Sequence, residues 1–179
     1  ARQRAGDLES LTEAPPVLLL AREWKLRPGA VASRDWERGR LAALYTLSAY
    51  RPKEDHALTG SGLVVVAAVD ALMARTMPPE LLQSLAVRLE TGRQVDLGAL
   101  TARLTNGGYV RCEQVEGVGQ YALRGGILDV FSPLMEQPVR CEFFDDEIDS
   151  MGTFDPGTQR RTANIDSALL LPAAEVLPH

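Results

Sequence analysis

Between Gly107 and Glu175 the chain reads GGYVRCEQVEGVGQYALRGGILDVFSPLMEQPVRCEFFDDEIDSMGTFDPGTQRRTANIDSALLLPAAE. Short apolar runs are cut there by glycine and proline turns. This pattern predicts strands near 109–115, 119–124, 127–131, 138–144, 147–151 and 168–171. Successive side chains of a strand point to opposite faces. In the first run Arg111 and Glu113 fall opposite Val110 and Cys112. In the second, Arg124 falls opposite Tyr121 and Leu123. In the third, Arg140 and Glu142 fall opposite Val139, Cys141 and Phe143. One face is therefore apolar and the other carries arginine and glutamate. Such a face is either solvated, with cross-strand ion pairs, or built for a charged partner. Arginine rather than lysine in all three runs leans toward a partner, because the planar guanidinium matches carboxylates at interfaces.

Working upstream, Asn106-Gly107-Gly108 stops a helix over 97–105 that Asp96 caps. Residues 81–89 alternate weakly through Leu85, Val87 and Leu89 and are expected to form a strand, closed by Thr91-Gly92. Residues 78–179 thus read as an α+β module with a mostly antiparallel sheet. Before Pro78-Pro79 the pattern differs. Residues 2–12 read as the end of an amphipathic helix, broken by Pro15-Pro16. Val17–Leu20 and Leu63–Val69 read as buried parallel strands. Helices are expected over 33–50, with Ser33 as N-cap, and over 70–76. Alternating strand and helix over 15–77 is the mark of an α/β layer with parallel strands. Two strands are too few for an independent sheet, so residues 1–77 are expected to be part of a larger α/β domain.

Composition fits a soluble globular protein, 45% hydrophobic and 24% charged. The net charge of −5 is divided unevenly. Residues 1–77 hold eleven Lys/Arg against nine Asp/Glu, a net of +2. Residues 78–179 hold eight against fifteen, a net of −7, which makes that half a poor trap for a phosphate backbone. The two cysteines, Cys112 and Cys141, form no metal-spaced pair and read as small buried hydrophobes of a reducing cytoplasm. The longest apolar run, Leu63–Val69, is too short to span a bilayer. No signal peptide is visible, and a chain starting at Ala1 is expected to be a piece of a larger protein.

Sites of chemistry are hard to find. Thr59-Gly60-Ser61-Gly62 lacks the lysine and hydroxyl residue of a P-loop, and it precedes a strand instead of following one. Gly117, Gly119 and Gly125-Gly126 open no helix. Asp145, Asp146, Glu147 and Asp149 sit where a hairpin turns, so solvated turn carboxylates explain them better than a metal site. His56 and His179 stand alone. No catalytic, cofactor-binding or metal-binding residue is assigned.

The strings "GYVRCEQVEGVGQYALRGGILDVFSP", "PVRCEFFDDEIDSMGTFDPGTQRRT" and "LLLPAAE" resemble the domain shared by the bacterial transcription-repair coupling factor (Mfd) and the excision-repair helicase subunit UvrB, over about residues 78–178. "WKLRPGAVASRDWERGRLAALYTL", "QRR" and "LPAAE" are more similar to the coupling factor. The resemblance implies that 1–77 is part of a RecA-like domain 1A without ATPase motifs and that 78–179 is domain 2, the docking module for UvrA. It implies UvrA-contacting roles for Arg111, Arg124, Phe131, Arg140 and Glu142. Ala122 departs from the UvrB pattern, which has a further arginine there. In the intact family member the surface is expected to be covered until activation at a stalled polymerase.

The fragment is therefore expected to be non-catalytic and cytoplasmic, with no membrane association and no cofactor of its own. ATP and magnesium are expected only at the motor of the parent protein, which also engages RNA polymerase and double-stranded DNA. Arg124→Ala and Arg140→Glu are expected to abolish UvrA binding and leave the fold intact. The alternatives are the corresponding piece of UvrB, or a DNA-contacting domain using a basic strip of Arg22, Lys25, Arg27, Arg34, Arg38 and Arg40.

Overall fold

The computed structural model describes residue 6 and residues 15–21, 35–51 and 62–177. It divides into two units, Ala1–Pro79 and Glu80–His179. Apart from residue 6, which is helical, the helix expected over 2–12 lies outside the described residues, as does the Ser33 cap.

In the first unit, β1 (Val17–Leu19) pairs in parallel with β2 (Val65–Ala67). Helix α1 (Asp35–Ala49) and the short α2 (Val69–Met73) accompany them. Leu19, Ala43 and Ala71 form the small core, with Val17, Leu44 and Ala67 packed against it. Both strands are shorter than their apolar runs suggest. Val65 is 41% exposed, so β2 is not buried on both faces, and Val69, expected in this strand, opens the following helix at 70% exposure. Arg40, which the DNA-contacting alternative puts on a basic strip, is instead buried. Its Nη1 donates to the Leu20 carbonyl at 2.8 Å and to the Ala71 carbonyl at 3.4 Å. Arg40 thus ties the helix to the strand layer, while Arg22, Lys25, Arg27 and Arg34 fall outside the described residues.

The second unit is α+β. Residues expected to form one strand over 81–89 split into a helix, α3 (Pro79–Leu85), and β3 (Val87–Glu90). The reason is local. Pro79 suits the first helical position, Glu80 favours the first turn, and Leu81, Leu82 and Leu85 share a helix face at spacing three and four. True alternation begins only at Val87, where Val87 and Leu89 are buried and Arg88 is exposed. Helix α4 (Leu97–Asn106) starts as expected, with Asp96 Oδ1 accepting from the Ala99 N–H at 2.9 Å. It ends at Gly107-Gly108, where Gly108 takes φ +85°.

Six strands then form one sheet in sequence order: β4 (Val110–Arg111), β5 (Gln120–Arg124), β6 (Ile127–Val130), β7 (Val139–Phe144), β8 (Glu147–Phe154) and β9 (Arg161–Asn164). All neighbours are antiparallel except β4 and β5. β10 (Ser167–Leu170) leaves this sheet and pairs with β3. Three expectations change here. The run at 109–115 yields only two strand residues, because the chain turns away and Val115 is buried beside Ala122, Phe131 and Phe154. β8 runs on to Phe154. β9 has no hydrophobic alternation to betray it, since all four of its residues are exposed.

Leu128, Val130, Val139, Cys141, Ile148 and Met151 point to one side of the sheet, into a core shared with Leu100 and Leu104 of α4 and with Leu89 and Leu170. Tyr109 closes one end of it, donating from its hydroxyl to the Leu171 carbonyl at 2.5 Å. Burial pushes that phenol's pKa above its ordinary value.

Candidate functional site

The other side of the sheet is ordered by strand register. Arg124 pairs with Ile127, Ile127 with Glu142, and Glu142 with Ser150. In the next row Ala122 pairs with Asp129, Asp129 with Arg140, and Arg140 with Gly152. Cross-strand pairs share a face, so these two rows lay Arg124, Arg140 and Glu142 side by side around one carboxylate, Asp129.

Asp129 is fully buried. Its Oδ2 accepts from Arg124 Nη2 at 2.6 Å and from Arg140 Nη2 at 2.8 Å, and its Oδ1 accepts from Arg140 Nε at 2.7 Å. Arg140 is thus held bidentately and Arg124 by one arm. An ionised carboxylate removed from water is costly unless paired and hydrogen-bonded, and three short charge-assisted bonds supply that pairing. The bonds that Arg140 donates to Asp129 also raise the Arg140 pKa.

The two guanidinia differ in what they leave free. The Arg140 side chain is 19% exposed. It stands 4.5 Å above the centroid of the buried Phe154 ring. Its Nη1 and Nη2 also donate to the backbone and side-chain oxygens of Gln159 at 3.3 Å. Gln159 is itself fixed, at φ 62°, by bonds from its side chain to the Val115 and Pro156 carbonyls. The preceding turn is held by Asp155, whose Oδ1 accepts from the N–H and hydroxyl of Thr158. Those bonds lower the Asp155 pKa. Arg124 is 47% exposed and gives one further bond, from Nη1 to the Glu113 carbonyl at 2.9 Å. Of its five N–H donors, several remain for a partner.

The residues implied by the resemblance do not all take equivalent positions. Arg124, Arg140 and Glu142 meet on adjacent strands. Arg111, exposed at the end of β4, lines with Cys112, Glu113, Gln114, Leu123 and Arg124 a groove of about 550 Å³. Phe131 is 8% exposed and packs with Val115, Ala122 and Phe154. Its ring supports one end of the face from beneath. The face expected to carry only arginine and glutamate therefore has a small apolar core of its own at that end.

Three members of the face went unassigned in the sequence. Asp129 follows from alternation, since it lies opposite the core residues Leu128 and Val130. Phe144 follows likewise as the next residue on the face after Arg140 and Glu142; it is 79% exposed, with Ile127 on the same face at 37%. Arg161 could not be inferred, because β9 itself was not legible. It reaches Glu142, with Nη1 3.8 Å from Oε1. The acidic residues Asp145 and Asp146 form the β7–β8 turn, with Asp145 at φ 59°. Among the described residues no group of three His, Cys, Asp or Glu is placed to hold a metal, and no helix is long and apolar enough to cross a membrane.

The arrangement offers donors, carboxylates and exposed apolar groups, but no nucleophile paired with a base. The protein family described as UvrB interaction domain matches residues 87–175. A transcription-repair-coupling factor of Bacillus subtilis is 32% identical over 178 residues, which is 99% of this chain and 14% of that protein. One from Myxococcus xanthus is 42% identical over 113 residues, 63% of this chain and 9% of that protein. One from Escherichia coli is 39% identical over 112 residues, 63% of this chain and 10% of that protein. The chain thus spans a small part of the length of the curated relatives it matches.

Proposed function

Because the chain belongs to the UvrB interaction domain family, as a segment of the transcription-repair coupling factor type, we propose that its second unit is a non-catalytic docking module for UvrA. The observation that carries this reading is the Asp129 clamp. It holds Arg124 and Arg140 in fixed positions beside Glu142 and leaves donors of Arg124 facing solvent. Preorganised guanidinia bind carboxylates with less loss of side-chain freedom than mobile ones. Arg111 extends the cationic surface along the groove, and Phe131 holds the sheet end beneath it.

The parallel β1–β2 pair with its helices supports reading residues 1–77 as part of a RecA-like domain 1A without ATPase motifs. In the longer parent, UvrA docking would couple stalled transcription to excision repair. ATP, magnesium, RNA polymerase and double-stranded DNA belong, in this reading, to other parts of that parent.

The test is a titration of the chain with purified UvrA beside Arg124→Ala at matched salt. Arg124→Ala leaves Asp129 its bidentate partner, so the fold is retained while binding falls by about 2 kcal/mol or more, as for an interface hot spot. Wild-type-like affinity of the folded variant would sink the reading. Arg140→Glu is no clean test, contrary to the sequence expectation. It would set a second carboxylate against the buried Asp129, and folding itself would suffer.

A further inference from the structure

Arg161 lies outside the three strand runs that carry arginine, yet its side chain crosses the same face. Gly152 makes this possible. A Cβ at Gly152 would overlap the Arg161 guanidinium and stand 2.6 Å from the Ala163 carbonyl oxygen. Glycine inside a strand weakens it and marks a place where another group approaches the backbone closely. Here the approaching group is a cation, lying over the residue that pairs with Arg140.

The contacts that hold Arg161 are long. Nη2 donates to Ser150 Oγ at 3.4 Å, and Nη1 stands 3.8 Å from Glu142 Oε1. The two side chains of that ion pair are 33% and 44% exposed, so water screens it and it contributes little. Arg140, by contrast, is nearly saturated by Asp129 and Gln159. Arg161 therefore gives up less than Arg140 when it turns to a new acceptor. A carboxylate arriving at hydrogen-bond distance replaces a 3.8 Å contact and frees Glu142 to accept from a cation on the same partner.

We infer that Arg161, seated over Gly152, is a further partner-contacting residue of the docking face, and that the protein partner brings a carboxylate to it. The inference rests on the docking reading above. The alternative acceptor, a nucleic-acid phosphate, is disfavoured by Glu142 beside Arg161 and by the net −7 of residues 78–179.

The experiment titrates UvrA against the wild type, Arg161→Ala, Arg161→Lys and Arg124→Ala at two salt concentrations. Arg161→Ala is expected to weaken binding about tenfold, and Arg161→Lys to recover part of that loss, since an ammonium lacks the planar fork. The thermal midpoint stays unchanged, because the long contacts of Arg161 contribute little to the fold. Wild-type affinity in Arg161→Ala alongside weakened binding in Arg124→Ala overturns the inference and leaves the docking reading standing. Absence of binding by the folded wild type overturns both. An Arg161→Ala defect seen with duplex DNA and not with UvrA overturns the carboxylate assignment.

Discussion

One face of the six-stranded sheet buries Leu128, Val130, Val139, Cys141 and Met151 against α4 and the β3–β10 pair. The opposite face of the same strands buries Asp129 under two arginines and leaves Phe144 in solvent. Register is common to both, so the difference comes from side-chain chemistry alone. Apolar burial is non-directional and stabilises by roughly 25 cal/mol per Å² whichever way the groups pack. A buried carboxylate stabilises only in one geometry, and the cost of removing it from water offsets much of the gain. The apolar face thus holds the fold, and the charged face spends stability to fix the position of two guanidinia.

That contrast breaks most visibly at Leu128. Leu128→Ala empties a fully buried site and should cost about 2–5 kcal/mol of stability, read from denaturant midpoints. UvrA affinity per folded molecule should not change. A change in affinity as large as the change in stability would show that the two faces are not separable.

Asp129→Asn tests the other face, with a smaller effect on stability and a larger one on binding. The amide keeps the volume but removes the charge. Losing charge-assisted bonds from a buried site should cost about 2 kcal/mol, since the half-exposed Arg124 can turn to water and the amide oxygen can still accept from Arg140. Affinity should fall too, because Arg124 and Arg140 lose their common anchor. If Asp129 acts through Arg124, losses in Asp129→Asn and Arg124→Ala will not add in a double-mutant cycle. Strict additivity would reduce Asp129 to a packing group.

Phe144→Ala sharpens the contrast from the solvent side. The ring is 79% exposed, so stability should move by no more than about 0.5 kcal/mol. If the docking face reaches the β7 tip, affinity for UvrA should fall by about 1 kcal/mol. Unchanged affinity would confine the interface to the rows containing Arg124 and Arg140.

The sequence was most legible where alternation and burial coincide. Val139, Cys141 and Phe143 against Arg140 and Glu142 set the β7 faces correctly, and the same count would have located Asp129 and Phe144. It was least legible where tertiary contacts override local pattern. Leu81–Leu85 carries too few residues to separate helix from strand by periodicity, and Pro79 and Glu80 were the better signals. β9 reads Arg-Thr-Ala-Asn and is a strand because β8 offers a free edge, which no local pattern records. Arg161 depends on that strand and on the open backbone at Gly152, so its part in the face required the assembled sheet. Phe131 shows the opposite limit. Resemblance marks the position, but only packing shows that its ring is turned inward.

The two cysteines provide the gentlest probe, since they sit on different parts of this contrast. Cys141 belongs to the apolar face and is fully buried. Burial pushes its thiol up to about 12. Cys112 packs beside the small cluster on the other face, is half-buried, and donates to the Tyr121 carbonyl at 3.3 Å. Its pKa is raised first by burial and then by Glu116. Only thiolate reacts with alkylating reagents, so both should label slowly at neutral pH, Cys112 first. Cys141 should wait for global unfolding. The sign of the pH effect follows: a folded-state pKa above the unfolded value favours the fold at neutral pH. That contribution is lost as the pH rises from about 9 toward 12. Labelling of Cys141 should therefore accelerate in alkali through unfolding as well as through ionisation, whereas labelling of Cys112 should track local opening of the chain after β4. Equal native-state rates for the two thiols would mean that the apolar face opens as readily as the charged one, and the division of labour between them would fail.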